Sequence, residues 1–452
     1  MCRKVLREPM RSLLEIYEEV RNHCTEDMDS KTKLFFLQDF PTFTEIKTVL
    51  VRKRREVIPA DPKEMSDIDL DLPIFLYKYG ENVIKGDLLL KDGRRILLFS
   101  TNEHLRILAR ANQILGDGTF RITPGLWTQT FIISAEVSGG KFVPVAFVLL
   151  PDKKKESYLV MFSLLKEALE CLELELSAAY FMSDFEVAIR ESFLSTFPGI
   201  EAKGCAFHFA KAILSKVARS GFKGDYQSCP EFSAFVRAIL GLAYVPLSRL
   251  AESIRNLYIL GKRLNDRQAG FALAFLKYLE RTWINGSFPP STWNMFNHQG
   301  ETTNNHSEGY NFRLGNKKKI CRHPNFFLFV ETVIQELKTS SDEASMADCG
   351  KSQKPRAKTV KSIAMRKSLM LGLQQGKTAL ISYQQAIGGS LSKTRRATED
   401  LELEDVEQLK VPEAFRPPRA GAYGDDAAII RKILENIQDY VESRGYKAGK
   451  LY

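Results

Sequence analysis

The chain has 452 residues, 44% of them hydrophobic, enough for a sizeable core and for roughly two to four domains. A formal charge of +10 favours a polyanionic partner, and seven scattered cysteines without CxxC spacing argue against a disulfide framework or a treble-type zinc domain. The longest apolar stretch, around Phe142 to Pro151, is far short of the roughly 20 residues of a membrane helix, and MCRKVLREPM leads into no signal-type apolar region, so a soluble nuclear or cytosolic protein without a membrane partner is expected.

Residues 1–100 read as a helical leader followed by a hairpin. Leu13, Leu14, Ile16, Tyr17 and Val20 recur at helical spacing, and a second region carries the basic cluster Arg52, Lys53, Arg54, Arg55, a candidate nucleic-acid contact. In LLLKDGRRILLF the Asp92-Gly93 pair between two apolar runs predicts a hairpin turn.

From residue 101 to 210 the pattern is that of a single α/β unit. Gln113 to Phe120, Thr128 to Val137 and Lys141 to Leu150 are rich in Ile, Phe, Val and Thr and predict three successive antiparallel strands, the last two joined by Ser138-Gly139-Gly140. A helix from about Glu156 to Leu172 follows, then a buried strand Ala178 to Met182, a helix Glu186 to Phe197, and a fifth strand Ala202 to Phe207. This order resembles a ribonuclease H-like mixed sheet.

Between residues 211 and 300 every segment has apolar spacing near 3.6, which predicts an all-helical insertion. Residues 301–340 return to the core with a closing helix Phe326 to Leu337, and 341–452 read as a polar basic and acidic tail with isolated helices, one of them Ala427 to Ser443.

Three acidic residues stand out. Asp117 in ILGDGTF lies in the first strand, flanked by glycines that leave space for a phosphate. Asp184 in YFMSDFE ends the fourth strand, which in a ribonuclease H-like sheet lies beside the first. Glu308 in TTNNHSEGYN follows Asn304-Asn305, a pair suited to capping a helix. Three carboxylates around divalent cations are the apparatus of phosphoryl transfer, with two ions expected and Mg²⁺ suited to hard carboxylate ligands.

Cys205 and His208 in GCAFHF have half the spacing of a zinc site but no second pair, which argues against zinc and leaves two readings open, a buried cysteine beside a core histidine, or a histidine just beyond the fifth strand that contacts a phosphate or aids proton transfer. Trp127, Trp283, Trp293 and Phe296 are candidates for stacking on bases or for the core. The basic runs Lys153-Lys154-Lys155 and Lys317-Lys318-Lys319 read either as solvated faces or as nucleic-acid contacts, and the second, nine residues past Glu308, is the better placed to touch phosphates.

DGTF followed by VPVAFVLLPDKKKESY, SDFEVAIRESFLSTFP, GCAFHFAKAI and TNNHSEGYN resembles the transposase domain of Mutator-like elements over roughly residues 105–337. The resemblance implies a DDE-type transposase using Mg²⁺ or Mn²⁺, with Asp117, Asp184 and Glu308 as the metal-binding catalytic triad and Cys205 and His208 as the family's Cys and His motif, and it favours His208 acting at the site. It also implies DNA partners (transposon ends and target), a nuclear location and, because two ends are joined, a homo-oligomer. No paired Cys/His module precedes Asp117, unlike full-length relatives. The alternatives are a domesticated, transposon-derived DNA-binding protein and a ribonuclease H-like nuclease.

Overall fold

A computed structural model describes residues 1–8, 11–316, 323–351, 357–392 and 426–443. Its centre is a seven-stranded mixed sheet of order β1-β2-β5-β4-β3-β6-β7. The strands are β1 (Ile84–Leu89), β2 (Arg95–Phe99), β3 (Gln113–Thr119), β4 (Gln129–Val137), β5 (Lys141–Leu150), β6 (Tyr180–Ser183) and β7 (Glu201–Gly204). The β5-β4-β3-β6-β7 portion, three antiparallel strands followed by two parallel ones, is compatible with a ribonuclease H-like sheet. The Asp92-Gly93 hairpin is present, with Gly93 at φ +83°, and it extends this sheet by pairing β2 with β5.

Helices α1 (Cys2–Arg7), α2 (Leu13–Thr25), α3 (Ser30–Asp39) and α4 (Phe43–Arg54) form the leader. Three of them share a small core of Val5, Leu13, Ile16 and Leu50, and Thr42 and Glu45 close a capping box that starts α4.

Layering follows from the strand period of two. One face of the sheet sends Ile114, Phe131 and Phe181 into a core with α5 (Asn102–Arg110), α6 (Lys155–Glu170) and α7 (Val187–Thr196). The other sends Leu115 and Met182 toward α8 (Ala206–Arg219), and Phe99, Ile132 and Phe147 toward a long helix, Phe326–Asp348.

Beyond α8 and up to residue 300 the chain forms helices and no strand, with α9 (Lys223–Ser228), α10 (Pro230–Gly241), α11 (Leu250–Lys262), α12 (Asp266–Leu279) and α13 (Pro290–Trp293). Next come α14 (Asn305–Gly315), which bears Glu308, α15 (Phe326–Asp348), α16 (Ala357–Gln374) and α17 (Leu380–Ser392).

Three local expectations change. The fifth strand stops at Gly204, because Ala206, Phe209, Ala210 and Ile213 supply a helical stripe that starts α8 early. α15 runs to Asp348 rather than Leu337, because the small residues Ser340, Ser341, Ala344 and Ala347 let it lie against the sheet, with Ser340 Oγ donating to Pro144 O at 2.5 Å. The described tail helices are not isolated: Leu380, Tyr383 and Ile387 of α17, and Ile430, Ile433 and Ile437 of the helix Asp426–Ser443, are buried in the core of the insertion. Of the two readings open for Trp127, Trp283, Trp293 and Phe296 the core one holds, since all four are buried; the indole of Trp127 donates to Arg95 O at 2.7 Å and that of Trp293 to Trp283 O at 2.6 Å.

Candidate active site

β3 and β6 run parallel with Leu115 opposite Met182, and Asp117 and Asp184 each lie two residues further along. The register therefore sets both aspartates at the same edge of the sheet, on the face covered by α8 and α14. His208, in the first turn of α8, joins them to the third acid: its Nδ1 is 2.9 Å from Asp184 Oδ1 and its Nε2 is 3.3 Å from Glu308 Oε1. From α14, Asn311 Nδ2 donates to Asp117 Oδ2 at 2.6 Å. Asp117, Asp184, His208 and Glu308 thus share one pocket.

The segment entering α14 is tied down by three contacts. Ala206 N donates to Thr302 O at 2.9 Å, Asn304 N to Cys205 Sγ at 3.2 Å, and Asn304 Nδ2 to Gly116 O at 3.4 Å. Cys205 is fully buried and links the start of α8 to the start of α14. Asn304 does occupy the N-cap position, but its side chain caps nothing, since it is turned to Gly116 and the Asp184 carboxylate instead. Asn305 is exposed at the first position of the helix.

Charge in the pocket is polarised. Burial and the neighbouring Asp184 and Glu308 push the Asp117 carboxyl well above the usual carboxylate range, against the pull of His208. Burial alone would raise the Asp184 carboxyl, but His208, Asn304 and Lys211 outweigh it and hold it below the usual range. Burial likewise opposes protonation of His208, and Asp184 overcomes it, carrying the imidazole well above 6.5.

The donor set suits a hard divalent cation. Besides the three carboxylates, Asn304 Oδ1 and Asn311 Oδ1 are buried oxygens without hydrogen-bond partners. Among the described residues, however, no three of His, Cys, Asp and Glu converge as a ready-made ligand cluster, because the His208 ring stands between Asp184 and Glu308.

The flanking glycines serve packing rather than substrate access. A Cβ on Gly116 would lie 2.8 Å from the Phe131 and Phe181 rings, and one on Gly118 2.8 Å from Gln129 Oε1. In the leader, Arg52 and Arg55 are exposed, whereas Lys53 pairs with Glu56 at 2.9 Å and Arg54 is turned inward, donating to Arg11 O. Lys317, Lys318 and Lys319 lie outside the described residues, and so does Cys321. Asn311 escaped the sequence reading although it stands one helical turn beyond Glu308, the spacing that puts two side chains on one face.

Among the described residues no helix is long and apolar enough to cross a membrane. No curated protein matches the chain. Residues 114–212, a stretch that holds Asp117, Asp184, Cys205 and His208 but ends before Glu308, match the family model of the MULE transposase domain, the family that the motifs resemble.

Proposed function

We propose that this protein is a DDE-type transposase with a ribonuclease H-like core, which cuts DNA at the ends of a Mutator-like element and joins those ends to a target. The observation that carries the reading is the bridge from Asp184 through His208 to Glu308, with Asn311 of the same helix on Asp117. It supports including Glu308, which lies outside the matched residues, with the two aspartates inside them.

Asp117, Asp184 and Glu308 would hold Mg²⁺ or Mn²⁺, which when bound would activate the attacking oxygen and stabilise the leaving one. The chain's own groups prepare the site. Asn311 occupies one oxygen of Asp117, which fixes the rotation of that carboxylate. His208 keeps Asp184 ionised and can hold a proton at Nδ1 or Nε2 beside the reacting phosphate. A transposase domain implies DNA as a partner, and exposed Arg52 and Arg55 are our candidates for phosphate contacts away from the site. A nuclear location and a multimer that brings two ends together belong to the same proposal.

One observation favours a second reading, a domesticated DNA-binding protein: His208 stands where a cation shared by Asp184 and Glu308 would sit. Incubation with the DNA flanking the coding sequence and Mg²⁺ or Mn²⁺ separates the two. Nicking and strand joining that vanish in Asp117→Asn, Asp184→Asn and Glu308→Gln support the transposase. Binding without cleavage in the wild type supports domestication, and hydrolysis without joining supports a nuclease.

A further inference from the structure

The side of α14 that faces β3 and α8 carries a polar stripe. Asn304, Ser307, Glu308 and Asn311 follow the i, i+3, i+4, i+7 spacing of one helical face. Asn304 is fully buried and Ser307 is 2% exposed. Beside Glu308, three oxygens of this stripe are buried without a hydrogen bond, namely Asn304 Oδ1, Ser307 Oγ and Asn311 Oδ1. Buried oxygens are seldom left unpaired, because their lost hydration has to be offset by some partner.

The orientation of the two carboxamides is fixed by their nitrogens. Asn311 Nδ2 donates to Asp117 Oδ2 at 2.6 Å, and turning the amide over would set oxygen against carboxylate. Asn304 Nδ2 faces Gly116 O at 3.4 Å. Its amide also bonds the Asp184 carboxylate. Each aspartate therefore has one asparagine of α14 beside it, with the amide oxygen left over. Amide oxygens are ordinary ligands of hard divalent cations, and they raise the number of donors without adding to the repulsion among three carboxylates.

We propose that Asn311 and Asn304 are neutral oxygen ligands of the divalent-cation site, each anchored through its amide nitrogen beside one of the two aspartates. This rests on the reading of Asp117, Asp184 and Glu308 as that site. Ser307 Oγ, on the same stripe, is placed to accept from or donate to the water shell of the ion.

Titration of the full chain with Mn²⁺ alone, followed by calorimetry and by the electron paramagnetic resonance of free Mn²⁺, tests the assignment without any activity readout. Asn311→Ala, which keeps the helix, is expected to weaken Mn²⁺ binding by about tenfold or more. Asn311→Asp, which keeps an oxygen at the same reach but exchanges the bond of the amide nitrogen for a further negative charge, is expected to bind Mn²⁺ more tightly than Asn311→Ala. Circular dichroism and the cation-free melting temperature report whether each variant is folded, and Asn311→Ser replaces Asn311→Ala if that one is not. Wild-type affinity in Asn311→Ala overturns the proposal, and so does an Asn311→Asp as weak as Asn311→Ala, because the nitrogen alone would then matter. If Asp117→Asn and Glu308→Gln abolish binding while the asparagine variants keep it, only this inference falls. If the wild type does not bind Mn²⁺, or binds it regardless of the acids, the cation site falls with it.

Discussion

His208 Nδ1 lies 2.9 Å from Asp184 Oδ1, and this contact sets the pH response of the pocket in the absence of a cation. The imidazole is raised well above 6.5, so it binds its proton more tightly in the folded chain than in the unfolded one. Its contribution to stability is complete below about pH 6.5 and is lost as pH rises through the folded value. Asp117, also raised, acts in the same direction. Asp184, lowered from 3.8, does the opposite, and its contribution is lost only as pH falls below that value. Because 43% of the Asp184 side chain reaches solvent, the pair is worth about 1–2 kcal/mol rather than the 3–5 of a sealed one. Thermal melts in EDTA at about pH 6 and about pH 9 should show the wild type losing stability toward the alkaline side. His208→Gln should flatten that slope, and an unchanged slope would remove His208 as its cause.

Gly116 gives a sharper test of how Asp117 is seated. A methyl group there meets the rings of Phe131 and Phe181 at 2.8 Å, and both rings are locked in the core behind β3. Gly116→Ala should cost about 1–3 kcal/mol in a urea denaturation and weaken cation binding by shifting Asp117. Gly118→Ala meets only the end of the Gln129 side chain and should cost less. Equal losses in the two variants would show that ring crowding is not the reason for the glycine at position 116.

Much of this fold is legible in the sequence because its signals are local. Richness in Ile, Phe, Val and Thr marks β3, β4 and β5, and the Asp92-Gly93 and Ser138-Gly139-Gly140 turns mark two connections. What stayed hidden depends on partners distant in the chain. The polar run SSDEASMAD looks like linker until β5 is there for Ser340 and Ala344 to lie against. Gly116 looks like access for a substrate until Phe181, from another strand, fills the space. Asn304 looks like a cap until β3 and Asp184 offer its amide better acceptors.

His104 governs a separate, acidic limb. It is fully buried at the start of α5, where its Nδ1 shares a hydrogen bond of 2.7 Å with the Thr101 hydroxyl, and burial pushes it from 6.5 down to about 4. A depressed histidine stabilises the fold above its unfolded pKa, and that contribution is lost as pH falls from about 6.5 toward 4. The full effect is about 3 kcal/mol. His104→Gln, which keeps a hydrogen-bonding group but cannot titrate, should hold its denaturation midpoint between pH 6.5 and 4 while the wild type falls. Parallel declines would assign the acid limb to other groups.

The rotation of α14, and with it the direction of Glu308, is braced from α15. Glu336 is 1% exposed and accepts from Tyr310 Oη at 2.8 Å and from Arg313 Nη2 at 3.3 Å, while the Arg313 guanidinium lies 4.9 Å from the centre of the Tyr310 ring. Glu336→Ala strands the buried Tyr310 hydroxyl and removes the anion that Arg313 reaches, so a loss of about 2–3 kcal/mol is expected. Tyr310→Phe removes one hydrogen bond and should cost about 1 kcal/mol. Glu336→Gln keeps an acceptor for Tyr310 and should fall between the wild type and Glu336→Ala. If the brace aims Glu308, Mn²⁺ affinity should follow the same order under conditions in which every variant is folded. Stability that falls while affinity stays constant would make Glu336 a core residue with no hold on the site.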